Sequence, residues 1–535
     1  MSHSSLSNPT STFNSAKAFI GPWLTLFAVG TATVGLLVLF LLSPNLRAAF
    51  GPIDDHEPLG WIGSRERLPI SQFLATLMYE TELGNVGTST RFRPSYYTLR
   101  VFLAFAIGDN PLAWYVVQHT LFVLTVGILS ATLGLWIYMS IGSQHRIRPG
   151  RWLLGGITSF AVALSLTGLP TWAGVVTRLG PSELLAVLGF AVALLGSTFL
   201  LVSPAMGPWI LLLAGTWISV FAKENFAPVG LLALLFAIRD YSQDKSRSRC
   251  LALAITGFFP SAVVSLAIAL PLLDGNSAYP VYGGESRIQS AFEWLQLTTW
   301  YWLPALALAL LSAILILQNR GQKTNPSAWI PMGLIGASVV WFLFDNAIYA
   351  GSYGLPRYLM VTQLLKLLWI VAAIALGVFV FTNGGSRIPH FLSGTSLLMS
   401  LGLAGTTLAS TPANLERLRS EAVINAESTQ DYDAALSRAI LLASQSPAGS
   451  VLIFAPYEVD LEPARAIETE MQRRWGRDIE VRQYGAASAY SPEEMESQVG
   501  SGISTARACI FVNTDPQTLP ACSSSNSIRI NARGM

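Results

Sequence analysis

Long apolar runs broken by short charged turns fill the first 410 residues. A membrane-crossing helix needs roughly 20 largely apolar residues. That criterion predicts eleven spans, near 18–43, 111–141, 152–168, 181–202, 208–222, 225–239, 250–272, 298–318, 329–348, 358–382 and 388–410. The fifth and sixth runs are short and only Lys223 and Glu224 divide them, so they read either as two spans or as one broken or re-entrant element. The first run is too long for a signal-peptide core and predicts a retained anchor after a short N-terminus, residues 1–17.

From residue 411 the pattern changes to that of a soluble α/β segment. A helical stretch at 428–443 precedes the apolar run Ser450 to Ala455, and a second helix opens at Asp460 with Pro463 in its first turn. Ile479 to Tyr484, a short helix capped by Ser491, and Ala508 to Asn513 follow. Three strands with intervening helices predict a small parallel α/β layer. It carries no glycine-rich phosphate fingerprint and no nucleophile elbow, which points to a binding or docking module. The domain reading is therefore a membrane body over 18–410, with a first outer loop at 44–110, and a tail over 411–535.

Composition agrees and sharpens the division. The chain is 52% hydrophobic and 12% charged, against about 25% charged in an average soluble domain. Residues 411–535 hold 27 of the 64 Asp, Glu, Lys and Arg side chains, with an acidic excess of five, while the body has a basic excess of seven. Neither part is basic enough for nucleic acid. Lys and Arg mark cytoplasmic loops. With the N-terminus inside, the inner segments collect Lys17, Arg146, Arg148, Arg151, Arg239, Lys245, Arg247, Arg249, Arg320, Lys323 and Arg387. An odd span count then places the tail outside. An oxidising compartment there allows Cys509 and Cys522 to pair; the sequence leaves a disulfide and two free thiols both open. Five Lys against 28 Arg suggests a GC-rich, bacterial genome, and so an inner (plasma) membrane.

The body's few outer charges are grouped. Gly51-Pro-Ile-Asp-Asp-His-Glu57 follows the first span; two adjacent carboxylates raise one another's pKa, and a carboxylate so tuned serves as a general base. The alternative is a solvated acidic loop. Arg91 and Arg93 lie in Thr90-Arg-Phe-Arg-Pro-Ser-Tyr-Tyr97, ahead of an apolar stretch too short to span. That stretch predicts an interfacial helix with Tyr96 and Tyr97 at headgroup depth. Its arginines either anchor to anionic lipid or help hold a substrate near Asp54 and Asp55. Glu183 starts the fourth span, Lys223-Glu224 divides the fifth and sixth, and Arg357-Tyr358 opens the tenth. Intramembrane charges are functional candidates, and singly each also reads as a paired structural charge. Together they suit deprotonation of a hydroxyl while a phosphate leaves, since Arg and Lys stabilise charge developing on phosphate oxygens.

The ordered set resembles the GT-C superfamily of polytopic glycosyltransferases, which includes protein O-mannosyltransferases, aminoarabinose transferases and arabinofuranosyltransferases. The set comprises the acidic pair after the first span, Arg-Phe-Arg-Pro-x-Tyr-Tyr, Gly-Pro-x-Glu, Ala-Lys-Glu-Asn and Pro-Arg-Tyr. The resemblance covers about residues 18–382 and implies a GT-C-like helical body with interfacial helices in the first outer loop. It implies inverting transfer of a sugar from a polyprenyl-phosphate donor to an extracytoplasmic glycan, lipid or protein. Asp54 or Asp55 would be the base, Arg357, Lys223 and Tyr358 would meet the donor phosphate, and Glu183, Glu224, Arg91, Arg93, His56 and Glu57 would line the substrates. No cofactor is implied; Mg²⁺ or Mn²⁺ at the Asp54 to Glu57 run is conceivable, because both accept carboxylates. A lipid-linked glycan ligase is a second reading, with His56 as its base. A transporter or flippase of the lipid-linked sugar is a third, although the paired interrupted halves that mark many transporters are not seen in this sequence.

Overall fold

The computed structural model describes residues 9–53, 55–85, 92–141, 148–202, 205–242, 246–273, 338–341, 359–382, 390–445, 450–455, 461–475, 481–484, 506–515 and 522–530. The chain is a polytopic helical protein: among the described residues, five helices are long and apolar enough to cross a membrane, or six if a pair bent at Thr167–Pro170 counts as one span. The predicted spans at 298–318 and 329–348 lie outside the described residues, apart from a short helical piece at 338–341.

The membrane body comprises α1 (Pro9–Leu41), α2 (His56–Ile62), α3 (Pro94–Ala106), α4 (Pro111–Ser140), α5 (Arg148–Thr167), α6 (Glu183–Val202), α7 (Met206–Ala222), α8 (Gly230–Ser242), α9 (Arg247–Leu273) and α10 (Met360–Thr382). Local chemistry sets several boundaries. Asn110 caps α4, its side chain accepting from the Ala113 amide at 3.2 Å, with Pro111 in the first turn. Gly63, in the left-handed region at φ 61°, ends α2.

Around Lys223 two short helices pack beside α6. α6 and α7 pack antiparallel through glycine: a Cβ added at Gly189, Gly196 or Gly215 would collide with the backbone at Ser219, Leu212 or Ala193. Such small residues let helix axes approach closely. At the other end of the pair, Trp209 Nε1 donates to Asp240 Oδ2 at 3.4 Å, and Arg239 Nη2 donates to the Leu200 carbonyl at 2.9 Å. The end of α8 thus lies beside the start of α7, and the two helices form a hairpin. Its turn is Lys223, in extended backbone, followed by a 3₁₀ segment over Glu224–Val229.

α11 (His390–Gln445) is a single helix of 56 residues that runs from the last apolar stretch into the tail. The sequence pattern divides it into a span ending near 410 and a separate helical stretch at 428–443, because the apolar run stops where the charges begin. Pro412 lies inside the helix and lacks the amide that would meet the Leu408 carbonyl, while the Ser410 and Thr411 hydroxyls donate to the Thr407 carbonyl one residue earlier, at 2.9 Å each.

The tail folds as predicted in class, with one more strand. β1 (Ser450–Phe454), β2 (Val481–Tyr484), β3 (Ala506–Val512) and β4 (Ser527–Ile530) form a parallel sheet in the order β2-β1-β3-β4. β1 pairs Val451 with Val481 on one side and with Ala508 on the other, and β3 pairs Ile510 with Ile528. α12 (Leu461–Trp475) and the end of α11 cover the sheet, burying Leu436, Ile467 and Met471 with Val451, Ile453 and Ile510. Cys509 and Cys522 form a disulfide, with Cα atoms 5.9 Å apart. The predicted short helix capped by Ser491 lies outside the described residues.

Candidate functional site

The buried face of α3 organises the site. Arg93 precedes Pro94 at the helix start, Tyr96 and Tyr97 follow, and Arg100 lies seven residues on. At 1.5 Å rise per residue, that spacing puts two guanidinium groups on one face about 10 Å apart. Arg93, Tyr96, Tyr97 and Arg100 are all buried. This corrects the sequence expectation: the helix exists, but its tyrosines face the protein interior rather than headgroups, and Arg93 is not a lipid anchor.

At the first end of this face, Arg93 grips Glu224 with both prongs of its fork, Nε to Oε2 at 2.8 Å and Nη2 to Oε1 at 2.7 Å. Lys223 Nζ lies 3.3 Å from Glu183 Oε1 and 4.0 Å from Glu224 Oε1. All four side chains are buried. The glycine-packed pair α6 and α7 makes this possible, because antiparallel close packing brings the first residue of α6 to the last turn of α7. Among the described residues, two cations here face two carboxylates.

At the second end, Arg100 Nη1 donates to the Tyr96 hydroxyl, which in turn donates to the Gly180 carbonyl. Glu57 Oε2 lies 3.9 Å from Arg100 Nη1. Burial opposes the Arg100 charge, while Tyr96, Glu57 and Asp55 together hold its pKa above the ordinary value. Asp55 is buried, and its Oδ2 accepts the Gly51 amide at 2.9 Å. Between the two ends, burial pushes the Tyr97 phenol well up from its ordinary value, with Glu57 and Glu82 acting the same way. Tyr97 therefore stays a neutral donor across the physiological range.

The structure thus brings together Asp55, Glu57, Arg93, Glu183, Lys223 and Glu224 of the predicted set. Asp54, Arg91, Arg357 and Tyr358, and the side chain of His56, lie outside the described residues. A scan against protein-family models finds no match, and neither does a search of curated proteins.

Sequence reasoning missed Arg100. Its i+7 spacing from Arg93, with Tyr97 between, is the signal, and it was masked by assigning that face to the membrane surface. Among the described residues, no group of three or more His, Cys, Asp or Glu is arranged to hold a metal ion. A cavity of about 30 Å³ between α3, α4 and the start of α6 is lined by Tyr96, Arg100, Trp114, Gln118 and Leu184. It has room for a water or two and none for a sugar.

Proposed function

We propose that the chain is a GT-C-like glycosyltransferase of eleven spans, moving a sugar from a polyprenyl phosphate to a hydroxyl acceptor on the extracytoplasmic side. The observation that carries this reading is the buried, ion-paired face of α3, with the Asp55 carboxylate at one end and the Lys223 turn at the other. In the reaction, the acceptor oxygen attacks the anomeric carbon and its proton passes to Asp55, or to its neighbour Asp54. The bond from that carbon to the phosphate oxygen breaks, the polyprenyl phosphate departs with the electron pair, and the anomeric configuration inverts. Lys223 and Arg93 are each committed to carboxylates, so direct contact with the departing phosphate is assigned to Arg357 and Tyr358. Lys223 then holds Glu183 and Glu224 in place. His56 and Glu57 flank the base on the acceptor side. The Cys509–Cys522 disulfide supports an extracytoplasmic tail, because such bonds persist in oxidising compartments; the N-terminus is then cytoplasmic and the membrane a bacterial inner membrane.

The test uses the purified full chain in lipid nanodiscs. A polyprenyl phosphate carrying a labelled hexose or pentose is the donor, and the cell-envelope fraction supplies acceptors. Transfer should fall at least 100-fold in Asp55→Asn or Asp54→Asn, the lower range for loss of a general base, and donor affinity should fall in Arg357→Ala. Full activity in the double Asn variant removes the base assignment. A membrane-impermeant maleimide should label Ser444→Cys in cells with a permeabilised outer membrane, and labelling only after lysis overturns the orientation.

A further inference from the structure

The tail holds the acidic loop from both sides. Upstream of Asp55, α11 meets residues 45–51. The Thr429 hydroxyl accepts the Ala49 amide at 3.1 Å, and Gln430 Nε2 donates to the Arg47 carbonyl at 2.8 Å. Asn425 Nδ2 donates to the Tyr115 hydroxyl at 3.0 Å and reaches Asn45 Oδ1 at 3.4 Å. The Thr429 methyl backs Gly51, where an added Cβ would sit 3.6 Å from Thr429 Cγ2 and 3.3 Å from Asp55 Oδ2. The Gly51 amide donates to Asp55. Downstream, α12 packs on α2: an added Cβ at Gly60 would meet Thr469 Cγ2 at 3.4 Å, and Arg473 Nη1 lies 3.0 Å from Asp109 Oδ2.

We propose that the C-terminal domain positions the Asp55 carboxylate, with Thr429 as the positioning residue acting through Ala49 and Gly51. This rests on the reading of Asp55 as the base. The chain of contacts is short and directional. The Thr429 hydroxyl is buried, spends its proton on the Asn425 carbonyl at 2.8 Å, and presents a lone pair to Ala49. Two residues on, Gly51 aims its amide at Asp55. The domain that carries no recognisable chemistry of its own is thereby a structural part of the site.

Amide hydrogen exchange and transfer kinetics on the full chain in nanodiscs test this. Thr429→Val keeps the shape and removes the lone pair. It should speed exchange at Ala49 and Gly51 about tenfold, the equivalent of one lost hydrogen bond, and lower kcat by a similar factor with donor KM unchanged. Thr429→Ser, which keeps the hydroxyl, should restore both. Gln430→Ala, at an exposed position, removes only the bond to the Arg47 carbonyl and should leave exchange at Gly51 and kcat near wild type. Wild-type exchange in Thr429→Val overturns the positioning role, and so does equal loosening in Thr429→Ser. Faster exchange with unchanged kcat severs the link to Asp55. If the wild type transfers no sugar at all, the transferase reading fails, and exchange alone decides whether the tail holds the loop.

Discussion

Replacing Glu224 by Gln probes the ion-paired cluster most directly. Glu224 is 1% exposed and Arg93 7%, so neither charge reaches bulk water when its partner is lost. The substitution removes the carboxylate from a bidentate contact at 2.7 and 2.8 Å and leaves two buried cations, Arg93 and Lys223, facing Glu183. Breaking one partner of a buried pair costs about 3–5 kcal/mol. The double variant Arg93→Met with Glu224→Leu fills the same space without charge and should recover much of that loss, because apolar replacement of a buried pair is often close to neutral. Unfolding in mixed micelles with rising SDS compares wild type, Arg93→Met, Glu224→Leu and the double variant as a closed cycle, with Glu224→Gln measured beside them. Glu57→Gln serves as the internal control: its side chain is 37% exposed and 3.9 Å from Arg100, and contacts of that kind are worth about 0–1 kcal/mol. A Glu224→Gln protein as stable as wild type refutes the reasoning, and so does a double variant destabilised by the sum of its singles.

Three further outcomes follow from the packing. Gly215→Leu should destabilise by about 1–3 kcal/mol, the usual cost of overpacking, and should lower transfer as well, since it drives apart the helices that carry Glu183 and Lys223; an unchanged melting temperature refutes the close contact. Replacing Cys509 and Cys522 by Ser should cost about 3 kcal/mol, as expected for a closed loop of this length, and alkylation of the native chain without reductant should add no label at either position. In the tail, burial followed by the Glu470 charge holds the Tyr432 phenol above its ordinary value near 10. The unfolded chain releases that proton first, so stability is unaffected below pH 10 and falls above it by up to about 1.4 kcal/mol per pH unit. Tyr432→Phe should flatten this alkaline limb in a pH series of tail unfolding.

The legible features were those written locally. Apolar runs near twenty residues located α1, α4, α6, α9 and α10, and the apolar stretch too short to span located α3. The strands over 450–455, 479–484 and 508–513 follow from short β-branched and aromatic runs, whereas β4 escaped notice because Ser-Ile-Arg-Ile gives only two alternations close to the chain end. The continuity of α11 escaped notice because the pattern changes from apolar to charged at residue 411, a change of solvent and not of backbone conformation. Grouping Glu183, Lys223 and Glu224 as site candidates anticipated their contact, but each partner assignment was beyond reach.

What the sequence determined by itself is the solvent of each segment: membrane for the body, water for the tail, with charges rationed to the turns. Hydropathy is a property of each stretch alone, so it survives without knowledge of neighbours. Only tertiary structure decided that Arg93 belongs to Glu224, 131 residues away, and that Thr429 holds Ala49, 380 residues away. Those pairings depend on which helix faces pack and how closely, and close packing here rests on three glycines whose role appears only when another backbone lies against them. The same packing turned the face of α3 from the membrane surface to the interior, where burial makes its charges count.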